Sequence, residues 1–290
     1  MDNTKIEWCD STWNPITGCY HGCEYCYAKK QTKRFEGWTY TPGKVRVNVS
    51  EDKTYIHPMK AYYGETAETQ YGKIAEIIDP FLKEDGSKAP YPFGFMPTFH
   101  RYRLNAVQHW KKPRTIFVCS MADLFGKWVP DKWIEEVFAA CEKAPQHTYI
   151  FLTKNPERYQ ELYCTQKLLV ANNTWFGATA TDEQQMKQAI GTFCFLPFGI
   201  HTFLSIEPIL CNISWNDSWI EHIKHGVYPP VESVILGAET GNRKNKVIPQ
   251  KEWISEIVSD CDNRGITVFM KNSLIPIVGK ENMRREFPWK

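Results

Sequence analysis

Thr148-Tyr149-Ile150-Phe151-Leu152-Thr153-Lys154-Asn155-Pro156-Glu157-Arg158 is the stretch that decides the fold. Its apolar run, 148–152, is rich in β-branched and aromatic residues, ends in a polar turn, and leads into a helix-like segment, 156–163. Strand, turn and helix in that order make the repeating unit of a parallel α/β fold. Working outward, the unit recurs. Upstream stand the run 115–119 and the amphipathic segment 130–141. Downstream come 174–178 with 182–191, then 201–206, then 233–236 with 249–263, and last 266–270. The runs lie about 25 to 35 residues apart, the length of a strand–helix unit. Three of the helical segments begin with Pro, which is favoured in a first helical turn. Nearer the start, a strand ending near Thr17 precedes a cysteine-rich loop, 27–35 reads as the helix after it, and 44–49 is a candidate second strand. Eight strands in sequence predict a complete or nearly complete (β/α)8 barrel, and 290 residues suit one such domain. Residues 51–113 break the rhythm with Pro58, Pro80, Pro90, Pro92 and Pro97 and a polar stretch around 84–88. Such an insertion is expected at one mouth of the barrel, either as a functional cover or as a surface excursion without a role.

Composition narrows the classes. Apolar residues make up 42%, enough for a sizeable core, and 35 basic against 33 acidic residues leave a net charge of +2. A duplex-binding surface shows a clear basic excess, so nucleic acid is not required; the short basic pairs are Lys29-Lys30 and Arg243-Lys244. Ten Cys at irregular spacings do not form a secreted disulfide framework. Cys119, Cys141 and Cys194 sit in apolar runs and read as buried reduced thiols. The first residues carry no basic-then-apolar signal, and the longest apolar stretch, 193–200, is interrupted by Pro197 and too short to span a bilayer. A cytoplasmic protein without a membrane segment is expected.

The chemistry concentrates in Gly18-Cys19-Tyr20-His21-Gly22-Cys23-Glu24-Tyr25-Cys26-Tyr27-Ala28. Three thiolates spaced C-x3-C-x2-C suit a soft metal centre. A four-iron cubane normally takes one Cys per iron, so Cys19, Cys23 and Cys26 would leave one iron open for a small molecule. A three-ligand zinc site, with His21 poorly spaced as a fourth ligand, and three packed thiols are the other readings.

This spacing, with Tyr25 before the third Cys, resembles the radical S-adenosylmethionine (SAM) superfamily. The resemblance implies a [4Fe-4S] cluster whose open iron chelates the methionine end of SAM. It also implies reductive cleavage of SAM, hydrogen-atom abstraction from a substrate, and an electron donor such as flavodoxin or ferredoxin. An open six-stranded partial barrel, common in that superfamily, is then the alternative to the closed barrel.

Catalytic groups of parallel barrels gather where strands end. Polar residues follow each run here: Ser120 and Asp123; Thr153 and Lys154; Thr179 and Thr181; Glu207; Glu239 and Thr240; Lys271 and Asn272. Trp13-Asn14-Pro15, Ser120-Met121-Ala122-Asp123-Leu124-Phe125, the 152–158 segment, Ser205-Ile206-Glu207-Pro208 and Gly237-Ala238-Glu239-Thr240-Gly241 are similar to a subfamily first named as phage proteins of unknown function. The likeness runs from about residue 5 to 275. It departs at Ala238 and Thr240, where Gly-Gly-Glu-Ser-Gly is common, and at Asn155, where Arg is common. It implies cleavage of a small 7-deazaguanine base: queuine to 7-aminomethyl-7-deazaguanine, a carbon–nitrogen lyase reaction in queuine salvage. On this reading Tyr25, Ser120, Lys154, Thr179 and Glu207 contact SAM. Asp123, Phe125, Trp175, Glu239 and Asn272 contact the base, through carboxylates that accept its N–H donors and aromatics that stack on it. Glu207, Glu239 and Lys271 serve the chemistry. Two other classes stay open. A polymer-modifying enzyme would gather Lys111, Lys112, Arg114, Arg243 and Lys244 on one rim, and a non-enzymatic cluster protein would lack a SAM pocket. Glu207 and Glu239 also read as plain salt-bridge partners of Lys154 and Lys271.

Overall fold

The computed structural model describes residues 4–35, 68–80, 86–215 and 231–289. Among them twelve strands form: β1 (Ser11–Trp13), β2 (Ile16–Thr17), β3 (Glu68–Thr69), β4 (Gly72–Lys73), β5 (Ala75–Ile77), β6 (Thr98–His100), β7 (Thr115–Val118), β8 (Thr148–Thr153), β9 (Thr174–Thr179), β10 (His201–Ile206), β11 (Ser233–Leu236) and β12 (Thr267–Met270). Seven of them make one sheet in the order β1-β7-β8-β9-β10-β11-β12, with every neighbouring pair parallel. Helices Asp131–Glu142, Glu157–Cys164, Glu183–Phe195 and Lys251–Asp262 fall between the strands. The α/β class and the unit read from 148–158 are therefore present.

Among the described residues the sheet is a curled half-barrel, and closure into eight strands is not seen among them. The outer edge of β12 is occupied by the chain's own end. Met270 N donates to Arg284 O at 2.9 Å and Glu286 N to Val268 O at 3.1 Å, so this segment runs antiparallel along the strand. With its edge groups satisfied, β12 has no free ladder to offer β1. Side chains tie the two ends of the sheet instead: Glu7 accepts from Asn272 N and from Arg285, and the Trp289 indole donates to Trp8 O. A second correction concerns the first strand. The one in the sheet is β1, whereas Ile16–Thr17, where a barrel strand was expected to end, pairs antiparallel with β6 in a separate β2-β6-β5 sheet. The candidate strand 44–49 and residues 51–67 and 81–85 of the insertion lie outside the described residues.

Alternation along each strand assigns two faces. Ile116, Val118, Tyr149, Phe151, Phe176, Leu204, Leu236 and Val268 join the helices in the larger core. Phe117, Ile150, Trp175, Phe203, Ile235 and Phe269 line the concave face, where Trp8 and Trp289 pack onto them. Burial on both faces is why the strands read as continuous apolar runs rather than alternating ones. Gly177 makes one of these contacts possible: a Cβ there would stand 2.2 Å from the Phe203 ring.

Candidate functional site

Parallel strands deliver all their C-terminal ends to one rim, and the cysteine loop sits there. It leaves β2 through Gly18, whose φ of +86° and whose contact with Met96 (a Cβ would lie 2.3 Å from its carbonyl oxygen) admit only glycine comfortably. Gly18 N donates to Met121 O, and Cys19 N to Phe95 O at 3.2 Å. The described part of the insertion thus backs the loop, and Tyr20 adds a hydrogen bond to Lys73 O. Cys26 caps the helix Tyr27–Lys33 by accepting from Lys29 N at 3.3 Å, and Cys19 Sγ accepts from His21 N at 3.5 Å. All three thiols are free and half-buried.

Three strand ends fasten this loop. At β7, Asp123 Oδ2 accepts from His21 Nε2 at 2.7 Å, Thr153 Oγ1 at 2.9 Å and Lys154 N at 2.9 Å, while Oδ1 accepts from Phe125 N. Burial alone would raise the Asp123 carboxyl; the His21 hydrogen bond and charge, with the Lys154 and Thr153 donors, hold it below the ordinary carboxylate range. At β8, Lys154 Nζ donates to Tyr25 OH at 2.8 Å and lies over its ring. At β11, Arg243 grips Glu239 through two bonds of 2.8 and 2.7 Å and reaches Glu24, between the second and third cysteines, at 3.1 Å. Beside these, Tyr27 OH donates to Ser120 O, and Ser120 Oγ and Met121 N both donate to Asn14 Oδ1. The motifs around Asn14 and Ser120 therefore touch, as do those around Phe125 and Asn155, whose Nδ2 donates to Phe125 O.

Among the described residues no three His, Cys, Asp or Glu side chains converge as ligands of a single ion. A cubane makes a different demand, since each thiolate goes to its own iron and the sulfurs stand around a cage. The donor set fits that demand: three thiols on one short loop, two of them already accepting backbone N–H bonds. Burial and the nearby Asp123 push the Cys19 thiol up. A bare thiolate is thus disfavoured at that position.

The expected site residues divide. Lys154, Glu207, Lys271 and Thr179 share the concave parity of Ile150, Phe203, Phe269 and Trp175 and rise toward the mouth, and Tyr25 meets Lys154 from the loop. Glu207 is paired with Lys271, and Gly237 makes room for them, because a Cβ there would lie 3.0 Å from Glu207 Cγ and 3.2 Å from Lys271 Cδ. Four residues expected to contact the base lie away from the mouth or already have partners. Phe125 is fully buried on the helix side of the sheet, among Phe138, Phe151 and Tyr159. Trp175 lies near the start of β9, at the far end of its strand from the rim, stacked on His201 and packed on Trp289. Asp123 already serves four donors, and Asn272 is bound into the Glu7–Arg285 seam. Glu239 is bound by Arg243 rather than by a lysine, so the salt-bridge reading stands for it and for Glu207, with partners Arg243 and Lys271.

Sequence reasoning missed the anchoring roles of His21, Glu24 and Arg243. The spacing of Glu239 and Arg243, four apart, was the one local signal. The basic groups do not gather on one rim. Lys111, Lys112 and Arg114 precede β7, with Arg114 on Ser11, whereas Arg243 follows β11. In a parallel sheet these are opposite ends. No helix among the described residues is long and apolar enough to cross a membrane.

One family model, described as a protein of unknown function (DUF5131), matches residues 3–274, and the chain belongs to that family. No curated protein matches, and neither does any solved structure.

Proposed function

We propose that this member of the DUF5131 family is a radical SAM enzyme with an open, partial barrel, and that it cleaves a small 7-deazaguanine base, queuine, to 7-aminomethyl-7-deazaguanine. The observation that carries the reading is the seat of the cysteine loop. Three free thiols at C-x3-C-x2-C spacing stand at the C-terminal rim of a parallel sheet, fastened from three strand ends by Asp123, Lys154 and Arg243.

A [4Fe-4S] cluster held by Cys19, Cys23 and Cys26, with SAM and an electron from a flavodoxin or ferredoxin, would supply one-electron cleavage of SAM and hydrogen-atom abstraction. The protein's own groups do the rest. Tyr25 and Lys154 form the edge nearest the loop and would contact SAM there, as would Ser120 after β7. Deeper in the mouth, Glu207 Oε1 already accepts from Lys271 Nζ and is placed to accept from the cationic secondary amine of the substrate. That nitrogen is already protonated and leaves as the neutral amine as the carbon–nitrogen bond breaks, while Lys271 Nζ holds Glu207 in place. The Phe203, Ile235 and Phe269 floor keeps water from beneath the reacting atoms. A small base suits the rim better than a polymer, because the basic groups lie at opposite ends of the sheet.

Anaerobic reconstitution tests the reading at its root. Wild-type protein should bind four irons and cleave SAM when reduced; the triple Ala variant of Cys19, Cys23 and Cys26 should lose the iron, while Cys→Ala changes at the other seven positions keep it. Near-wild-type iron in the triple variant would overturn the proposal.

A further inference from the structure

Toward the C-terminal rim of the concave face two hydroxyls are left over; Ser233 Oγ, sealed at the start of β11 in the Phe203 layer, is another without a partner among the described residues. Thr179 closes β9 and Ser205 stands opposite it on β10, directly paired in register. Alternation puts both on the face of Trp175 and Phe203, because Phe176, Ala178, Leu204 and Ile206 belong to the helix-side core. Both side chains are buried, yet neither hydroxyl has a hydrogen-bond partner among the described residues, and neither is sealed from space. A buried hydroxyl left unmade costs free energy, so adjacent unmade ones in an apolar floor call for something that supplies their bonds.

Their surroundings define the chemistry. Register places Ile235 and Phe269 on the same level across β11 and β12, Gly177 and Phe203 lie one layer below, and Glu207 with Lys271 one layer above. Neighbouring strands are about 4.8 Å apart, a separation at which two hydroxyls can each meet one oxygen of a vicinal diol. A hydroxyl both donates and accepts, as a diol does, whereas a carboxylate beside a lysine suits an amine.

We propose that Thr179 and Ser205 are specificity-determining residues that hydrogen-bond the diol of the substrate, while the Glu207–Lys271 pair above them takes its amine. This rests on the function proposed above and fixes the orientation: cyclopentenediol down on β9 and β10, amine at the Glu207 level, base toward the mouth. Thr179 is thereby moved from the SAM side to the substrate side. SAM also carries a vicinal diol, on its ribose, and Lys154 follows β8, the neighbour of β9, so the SAM arm of the experiment separates the two diols.

The experiment compares queuine with 7-aminomethyl-7-deazaguanine, which keeps the base and amine and lacks the diol. Binding of each, and of SAM, is measured by calorimetry on reconstituted wild-type, T179V, S205A and double-variant protein. Because no partner is lost, the variants should fold with wild-type thermal stability, so a binding change is not a folding defect. Each single change should weaken queuine about five- to tenfold, leave the diol-free base within twofold and leave SAM unaffected. The double variant should bind the two bases almost equally, since a site built for hydroxyls discriminates through them. An unchanged preference for queuine overturns the assignment, and so does a loss of SAM affinity in its place. Wild-type protein that binds neither base overturns the function first and the assignment with it.

Discussion

Replacing Asp123 by Asn changes one oxygen into an NH2 group and leaves the volume alone, so no cavity contributes. In the wild type Oδ2 takes three donors, from His21, Thr153 and Lys154, and Oδ1 takes one, from Phe125. The less costly orientation of the amide keeps its carbonyl toward the three and turns NH2 against Phe125 N. One buried donor is then unsatisfied, costing about 1–3 kcal/mol, and three bonds lose the charge that roughly doubled their strength. The total is about 3–5 kcal/mol, the range for removing one partner of a buried ion pair. For a chain of this size that lowers Tm by roughly 6–15 °C. Thermal and urea unfolding of metal-free protein measure it, and amide exchange across residues 19–26 should rise, since His21 is the loop's attachment to β7. A loss under 1 kcal/mol with unchanged exchange would refute the view of Asp123 as the loop's anchor.

Acid should act through the same group. Asp123 and Glu239 both titrate below their ordinary range, Asp123 despite its burial and Glu239 through the Arg243 hydrogen bonds. Carboxylates depressed in the fold bind fewer protons there than in the unfolded chain, so their stabilisation is present above about pH 4 and lost as pH falls through the folded values; urea titrations from pH 7 to 3 should show the loss, shallower in Asp123→Asn. Arg243→Lys cannot grip Glu239 at two points and reach Glu24 as well, so amide exchange in the cysteine loop should rise without loss of the fold; unchanged exchange would deny Arg243 its part in holding that loop. Gly237→Ala forces Glu207 and Lys271 apart and should cut product formation more than tenfold with iron content intact. Gly177→Ala drives a methyl into the Phe203 ring and should cost about 2 kcal/mol or more in unfolding assays.

The helix–strand rhythm was legible because strands buried on both faces are continuous apolar runs, and 201–206 and 233–236 coincide with β10 and β11. What the runs did not show was the edge: seven strands form the sheet among the described residues, and 44–49 lies outside them. The antiparallel edge on β12 comes from 284–286, a polar stretch, Arg284-Arg285-Glu286, that has no strand signature of its own. The surroundings of Phe125 and Trp175 were not legible: an aromatic beside a strand end has no marked face, and tertiary packing set Phe125 in the helix layer and Trp175 against Trp289. Polar rim residues were easier to find than to assign. Asp123 looked like a ligand for the base and is the loop's anchor, because the donors that consume it come from 102, 30 and 31 residues away. Ser205 was quoted only within its motif and given no role, since its parity with Glu207 and its pairing with Thr179 are visible only once the strands are placed.

Mass spectrometry of anaerobic reactions containing reconstituted protein, SAM, reductant and queuine tests the central claim most directly. Formation of 5′-deoxyadenosine that rises with queuine, together with release of 7-aminomethyl-7-deazaguanine, is the predicted result. Inert queuine, with SAM cleavage stimulated only by oligonucleotides, would contradict it.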